Sequence, residues 1–306
     1  MAYDIIAHEL RRPTVFKDES KLFADHVPTN LVHREPQLKA LGRTFKALIE
    51  SPGSVAQKAT LVGDVGVGKT AAAKRFGSTM VALAGERGIK LKYVHINCYK
   101  DRTLFLVIKK VAQQLFPSIP DRGYSAQELF GTLWGILEDE NMYLLLTLDE
   151  IDFLISLSGE KDAPLYYLTR ATDEYLNKRQ RMSLLLITRN LDFLPSIDKS
   201  VQSSLLHNII KFENYTGDQL YDIIRSRGDE ALKEGTVTGE ILSMISDMAA
   251  PKGDARYALE LLWRAGKYSD AEGAESILPE HVRKAQLDVS QFPMNVVLDL
   301  PLHERL

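Results

Sequence analysis

The sequence predicts an α/β domain built on a parallel β-sheet, followed by a second domain that is entirely helical. Three observations lead to this prediction. Between residues 59 and 188, short apolar runs of strand length alternate with stretches of helical periodicity, which is typical of parallel strands with helices on both faces. One of these runs, Met142 to Leu148, has the composition of a strand that is buried on both faces. From Thr216 onward the pattern changes to successive amphipathic helices.

The individual elements follow from periodicity and from the turn residues between them. Residues 1–30 contain Pro13 and Pro28, which suits an extended arm better than a packed helix. Ser125 and Glu128 have the spacing of a capping box and mark the start of a helix. Helices are predicted at about 38–48, 69–84, 103–115, 125–138, 164–178, 216–233, 237–249, 254–270 and 279–289, and strands just before residue 63 and at 91–97, 142–148 and 182–188.

Composition narrows the class of protein. The 306 residues favour two domains, and 45% hydrophobic with 26% charged residues are ordinary for a water-soluble chain. The formal net charge of −3 argues against a uniformly basic nucleic-acid coat and leaves room for a local basic face. A single cysteine, Cys98, excludes internal disulfides and thiolate metal clusters. Since we find neither a signal peptide nor a run of the ~20 apolar residues that span a membrane, we expect a cytoplasmic protein with no membrane partner.

The most informative stretch is a glycine-rich turn between the first strand and the following helix. Gly63 is followed by four residues and then by Gly68, Lys69 and Thr70 in front of a helix-forming segment. In this order, backbone N–H groups can wrap a phosphate, Lys69 can reach the β and γ phosphates, and Thr70 can offer its hydroxyl to Mg²⁺. The alternative is an ordinary turn before a helix. The predicted nucleotide contacts in this loop are Gly63, Asp64, Val65, Gly66, Val67, Gly68, Lys69, Thr70 and Ala71.

Two acidic residues at the end of the strand 142–148 complete the predicted nucleotide site. Asp149 would orient Mg²⁺ together with Thr70, and Glu150 would polarise a water in line with the γ phosphate. Two adjacent acids could instead be the solvated start of a helix. The strand 182–188 also ends in polar residues, so either Arg189 or Asn190 could sense the γ phosphate, and the sequence does not choose between them.

Taken together, these motifs resemble the AAA+ ATPases of the archaeal origin-recognition and cell-division-cycle initiator family. The resemblance covers nearly the whole chain and rests on the loop at 63–70, the acids at 149–152, the arm before His33-Arg-Glu35, and the helix that opens with Gly253-Asp-Ala-Arg256. It implies a P-loop core with a parallel five-stranded sheet and an all-α lid. The implied divisions are an arm at 1–30, an ATPase core at 31–215, a lid at 216–290, and, at 291–306, a linker with the start of a truncated winged-helix domain.

The resemblance also implies roles for residues outside the two main motifs. Arg256, which could otherwise be a lone surface arginine, would be a second sensor of the γ phosphate. The adenine pocket would be lined by Val27, Pro28, His33 and Arg34, with Tyr215 also near the nucleotide. A segment that touches DNA in related initiators would include Lys109, Lys110, Arg122 and Tyr124. The sequence departs from the family where an arginine finger would precede Ser203, because residues 198–200 are Asp-Lys-Ser.

The function implied by the resemblance is an ATP-dependent DNA replication initiator. ATP or ADP with Mg²⁺ would act as a conformational switch, with slow hydrolysis as its timer. The expected partners are double-stranded origin DNA, paralogous initiators and the replicative helicase, and we expect a monomer in isolation. The alternative from another class is a AAA+ signalling or assembly ATPase that acts on a protein partner.

Overall fold

A computed structural model gives the fold of two compact units. It describes residues 6–7, 12–117, 123–157, 168, 179–199, 202–203 and 208–299, without the side chains of 196 and 290–299. The first unit, His33–Glu213, is called the P-loop unit here. The second, Met1–Val32 with Asn214–Leu306, is called the helical unit.

The P-loop unit alternates helices and strands, as the sequence predicts. From the first to the fourth strand, at least one helix lies between each strand and the next along the chain. The described elements are α1 (Glu35–Thr44), α2 (Ala47–Glu50), β1 (Lys58–Val62), α3 (Lys69–Glu86), β2 (Leu91–Asn97), α4 (Leu104–Leu115), α5 (Ala126–Asp139), β3 (Tyr143–Asp149), α6 (Ile151–Leu157), β4 (Met182–Thr188) and β5 (Ile209–Lys211).

The five strands form one parallel sheet in the order β2-β3-β4-β1-β5. Every residue of β3 and β4 is buried, which explains why their sequences are apolar runs instead of alternating patterns. Because all strands run in the same direction, the loop after β1, Asp149 at the end of β3 and Thr188 at the end of β4 lie at one edge of the sheet. This edge is where α/β proteins place their ligands.

The helical unit contains α7 (Gly217–Ala231), α8 (Gly239–Ala249), α9 (Ala255–Glu272) and α10 (Pro279–Asp299). The four helices share one hydrophobic core, which includes Leu220, Ile245, Leu262 and Val282. Asp254 caps α9, because its carboxylate accepts hydrogen bonds from the N–H groups of residues 256 and 257 at 2.8 and 3.1 Å.

Residues 14–26, the N-terminal strap, also belong to the core of the helical unit. Phe16 forms an antiparallel bridge with Leu232, and its ring leaves no room for a side chain at Gly266, where a Cβ would lie 2.4 Å away. The buried guanidinium of Arg227 donates hydrogen bonds to the carbonyl oxygens of Lys21, Phe23 and His26. The predicted arm is therefore a packed part of the helical unit, with a short 3₁₀ helix at Glu19–Leu22.

The predicted fold class is confirmed, and differences concern single elements. The strands at 91–97 and 182–188 have the predicted bounds, and the capping box of Ser125 and Glu128 is present. The helix predicted at 164–178 lies outside the described residues except for Leu168, and α10 continues to Asp299 across the predicted boundary at 290. None of the helices in the described part of the chain combines the length and the apolar composition of a membrane span.

Candidate nucleotide-binding site

The loop after β1 has the backbone of an anion-binding loop. Gly66 and Gly68 have φ angles of 76° and 86°, which side-chain-bearing residues rarely adopt. Gly63 is needed for a different reason, because a Cβ there would lie 2.3 Å from the carbonyl oxygen of Phe212. Gly68 is the N-cap of α3 and has no side chain to accept hydrogen bonds from the first N–H groups of the helix. These donors therefore face the loop as an anion site.

Lys69 lies inside this loop. Its side chain is buried, and its ammonium group donates hydrogen bonds of 2.6 Å to the carbonyl oxygens of Gly63 and Asp64. The charge is thus held against the loop backbone and not in solvent. A cation in this position suits a ligand with clustered negative charge, such as a polyphosphate.

Thr70 and Asp149, the predicted metal ligands, are in direct contact. The Thr70 hydroxyl donates a 2.7 Å hydrogen bond to Oδ2 of Asp149, which is 4% exposed. Burial by itself raises the pKa of Asp149, but hydrogen bonds from His95 and Thr70 outweigh it and hold this pKa below its ordinary value. Asp149 is therefore a carboxylate at neutral pH. A hydroxyl and a carboxylate oxygen side by side fit Mg²⁺, which prefers hard oxygen ligands.

Two residues that were not predicted as part of the site, His95 and Tyr93, connect to Asp149 through hydrogen bonds. Nε2 of His95 lies 3.2 Å from Oδ2 of Asp149, and the hydroxyl of Tyr93 lies 3.2 Å from Nδ1 of the same imidazole. Both come from β2, which pairs with β3 so that Asn97 is opposite Asp149. Burial raises the pKa of Tyr93 to about 12. The alternation of Leu91 to Asn97 predicts that Tyr93 and His95 share a face, but only the pairing of β2 with β3 brings them to Asp149.

Glu150 follows β3 with an unusual backbone. Its φ angle is +56°, in the left-handed region that glutamate rarely occupies. One carboxylate oxygen lies 3.9 Å from the guanidinium of Arg189, and both side chains are partly exposed. The side-chain oxygen of Asn190 accepts a hydrogen bond from the N–H of Asp192 in a local turn. The structure therefore brings Arg189 to Glu150, while the role of first sensor stays a prediction for either residue.

Arg34 is buried beside the phosphate loop. Its guanidinium donates hydrogen bonds to the carbonyl oxygens of Val67, His33 and Glu213 at 2.9, 3.1 and 2.8 Å. It also lies over the ring of Phe212, 5.4 Å from its centroid. His33, just before α1, has a φ angle of +63°. The guanidinium thus contacts the backbone next to the phosphates, and its predicted place in an adenine pocket stays a prediction.

The other predicted site residues lie elsewhere in the chain. Val27, Pro28, Tyr215 and Arg256 belong to the helical unit, where Tyr215 is buried and Arg256 is exposed on the first turn of α9. Their roles at the nucleotide stay predictions.

The predicted DNA contacts lie on and after α4. Lys110 on α4 is exposed and pairs with Asp101 at 3.3 Å, and Lys109 on the same helix is partly buried. Tyr124 is 37% exposed, and Arg122 lies outside the described residues.

Comparison with known families matches both units. Residues 54–194 match the model of an AAA domain, and residues 221–287 match the Cdc6 AAA+ ATPase-type lid domain. The chain is 37% identical over 312 residues to ORC1-type DNA replication protein 2 of Sulfurisphaera tokodaii, covering 99% of this chain and 74% of that protein. It is 35% identical over 295 residues to the protein of the same name from Saccharolobus solfataricus, covering 94% and 71%.

Solved structures with a similar fold include two proteins of Aeropyrum pernix. The ORC1 protein in complex with DNA superposes with a TM-score of 0.81 at 31% identity, covering 94% of this chain and 74% of that one. The ADP form of the ORC2 protein superposes with a TM-score of 0.83 at 26% identity, covering 95% and 76%.

Proposed function

Because the chain belongs to the archaeal Orc1/Cdc6 family of AAA+ ATPases, we propose that it is an ATP-dependent DNA replication initiator. The observation that carries the ATP-dependent part is the contact of Thr70 with Asp149 at the mouth of the phosphate loop. The DNA-binding part is supported by the likeness to the ORC1 protein of Aeropyrum pernix, whose structure was solved in complex with DNA.

In this proposal, each group of predicted site residues has its own role at the nucleotide. The N–H groups of the loop and the ammonium of Lys69 bind the phosphates, and Thr70 with Asp149 supplies the oxygen ligands for Mg²⁺. Bound Mg²⁺ would neutralise charge on the phosphates. Glu150 accepts a proton from, or orients, the attacking water, and its neighbour Arg189 or Asn190 acts as first sensor. Arg256 is the proposed second sensor of the γ phosphate. The proposed adenine pocket is lined by Val27, Pro28, His33 and Arg34, with Tyr215 also near the nucleotide.

Hydrolysis is proposed to be slow and to serve as a timer for a conformational switch. The sequence offers no identifiable arginine finger before Ser203, and such a residue accelerates phosphoryl transfer by several orders of magnitude in P-loop GTPases. ATP and ADP would then be long-lived states of the protein that differ in their affinity for DNA. Origin DNA is the proposed ligand, through Lys109, Lys110, Arg122 and Tyr124. Paralogous initiators and the replicative helicase are the proposed protein partners of a chain that is monomeric alone.

The first experiment identifies the nucleotide. Heating the purified protein and analysing the released ligand by mass spectrometry should yield ADP or ATP. Lys69→Ala should yield none, because it removes the ammonium group proposed to bind the β and γ phosphates. Lys92→Ala, an exposed lysine on β2, is the matched control and should retain the nucleotide. Equal retention in both variants, or release of a guanine nucleotide, would contradict the proposed site.

The second experiment tests DNA binding. Affinity for a duplex should fall steeply with salt, since each phosphate contact releases counterions and contributes about 0.9 to the slope of log K against log salt. Lys110→Ala should reduce the magnitude of this slope by about 0.9, the value of one phosphate contact. Lys39, an exposed lysine on α1, is the control, and Lys39→Ala should leave the slope unchanged. If no duplex binds even at low salt, a AAA+ ATPase that acts on a protein partner becomes the better reading.

A further inference from the structure

The carboxylate of Asp149 is held from two sides at a single oxygen. Oδ2 accepts a hydrogen bond from the Thr70 hydroxyl, on α3, at 2.7 Å and lies 3.2 Å from Nε2 of His95, on β2. Asp149 is nearly inaccessible, and the His95 side chain is only 16% exposed. Water therefore has little access to this pair, which strengthens a hydrogen bond between them.

The direction of the hydrogen bonds follows from the chemistry of the groups. An ionised carboxylate only accepts, so Nε2 of His95 carries the proton and donates to Asp149. In the tautomer with its single ring proton on Nε2, Nδ1 is an acceptor, and the hydroxyl of Tyr93, 3.2 Å away, is the donor to it. The three side chains thus form a directed chain from Tyr93 through His95 to Asp149.

Packing fixes the position of Tyr93, which begins this series of hydrogen bonds. The ring of Tyr93 lies against α3, where a Cβ on Gly77 would be 2.3 Å from a ring carbon. Tyr93 is therefore seated on the same helix that carries Thr70. The helix sets both the hydroxyl that touches Asp149 and, through Tyr93, the imidazole that touches it from behind.

We propose that His95 is a positioning residue for Mg²⁺, which turns the Asp149 carboxylate toward Thr70 so that both oxygen ligands are presented together. This inference rests on the proposed nucleotide function. His95 does not bind the metal itself, because its Nε2 is committed to Asp149 and imidazole is a poor ligand for Mg²⁺. Outer-shell partners of metal ligands commonly change metal affinity by 10- to 100-fold when they are removed.

The test separates metal binding from nucleotide binding. The affinity for a fluorescent ADP analogue is measured by equilibrium titration in EDTA and at increasing Mg²⁺ concentrations. For His95→Ala, the Mg²⁺ concentration that gives the half-maximal change should rise about 10-fold or more. Affinity in EDTA should change by less than about threefold, because neither the loop nor Lys69 is altered. His95→Gln, whose amide can still donate to Asp149, should recover most of the Mg²⁺ response, and Tyr93→Phe should shift it in the same direction as His95→Ala but less.

Each outcome decides the inference. A half-maximal Mg²⁺ concentration of His95→Ala equal to that of the unmodified protein would overturn it. So would an equal loss of affinity with and without Mg²⁺, or a Gln variant as impaired as the Ala variant, since both indicate a role in folding alone. Should His95→Ala fail to fold, the Gln and Phe variants still decide the question. If the unmodified protein binds no adenine nucleotide, the proposed function fails as well, which distinguishes that failure from a fault in the role of His95.

Discussion

The guanidinium of Arg34 donates a hydrogen bond to the carbonyl oxygen of Val67, inside the phosphate loop, at 2.9 Å. The same group donates to the carbonyl oxygens of His33 and Glu213, the first and the last residue of the P-loop unit. One buried side chain therefore ties both ends of this unit to the loop that is proposed to hold the phosphates.

Replacing Arg34 should destabilise the P-loop unit and weaken nucleotide binding together. Arg34→Ala leaves the buried carbonyl oxygen of Val67 without its donor and removes two part-buried hydrogen bonds, and we expect a loss of about 3 kcal/mol in the free energy of unfolding. Arg34→Lys should be nearly as unstable, because an ammonium group cannot reproduce the planar fork. Arg43→Ala, an exposed arginine on α1, should stay within about 0.5 kcal/mol of the unmodified protein in urea unfolding. Equal stability of the Arg34 and Arg43 variants would contradict this role.

Two glycines near the loop should respond oppositely to alanine. At Gly63 the added Cβ would meet the carbonyl oxygen of Phe212, whose N–H is held by the carbonyl of Val62 at 2.8 Å, so neither backbone can yield easily. We expect a loss of about 1–3 kcal/mol and of nucleotide binding. Gly85 lies near the end of α3 with nothing within 4 Å of an added Cβ, so Gly85→Ala should gain up to about 1 kcal/mol. Thermal unfolding of the two variants checks the sign.

The backbone of Glu150 predicts a conflict between stability and activity. A φ of +56° costs a glutamate about 1 kcal/mol, which glycine does not incur. Glu150→Gly should therefore raise the unfolding temperature and lower ATP hydrolysis at least about 100-fold. Glu150→Gln should lose hydrolysis to a similar extent without becoming more stable. A Gln variant that hydrolyses ATP at the original rate would remove Glu150 from the proposed mechanism.

His26 predicts a dependence of stability on pH. Burial lowers the pKa of His26 below its ordinary 6.5, and the positive charges of Arg227 and Lys21 lower it further against the opposing Glu230 and Asp18. As the pH falls, His26 takes up a proton more readily in the unfolded chain than in the folded protein. The folded state therefore keeps its full stability above pH 6.5 and loses the contribution of neutral His26 as the pH falls through the lower folded pKa.

Unfolding in urea at pH 7 and at about pH 5 measures this contribution. His26→Gln should make the decrease in stability shallower, because the glutamine does not titrate. Glu230→Gln, which removes an acid facing the imidazole, should keep the decrease. Identical pH profiles for His26→Gln and the unmodified protein would show that the histidine is not responsible.

The parts of the fold that the sequence predicts are those in which one segment carries a complete pattern. The seven residues from Leu91 to Asn97 alternate, and the seven from Met182 to Thr188 are apolar throughout except for small polar residues, so both strands are found with their observed bounds. The strand Ile209–Lys211 has only three residues, too few for a period of two to be recognised. Its place beside β1 depends on pairing across the sheet.

The candidate site shows the same division. Lys69, Thr70 and Asp149 are predicted because phosphate and metal chemistry demands particular residues at a strand end or in a glycine loop. His95 escapes prediction because a histidine in an alternating strand has no spacing that points to Asp149. Its role depends on which strand becomes the neighbour of β3, and that neighbour is decided by the whole sheet.

Because of the N-terminal strap, the two units can complete their folding at different times during synthesis. The P-loop unit is one unbroken segment, whereas Arg227 and its partner Lys21 are 206 residues apart. As the chain leaves the ribosome, the strap emerges before the P-loop unit. Its apolar Phe16 and Leu22 stay exposed until α7 and α9 have been synthesised and can pack against them. The segment in between can complete its sheet during that wait. The P-loop unit can therefore fold during translation before the helical unit has all the helices that pack against the strap.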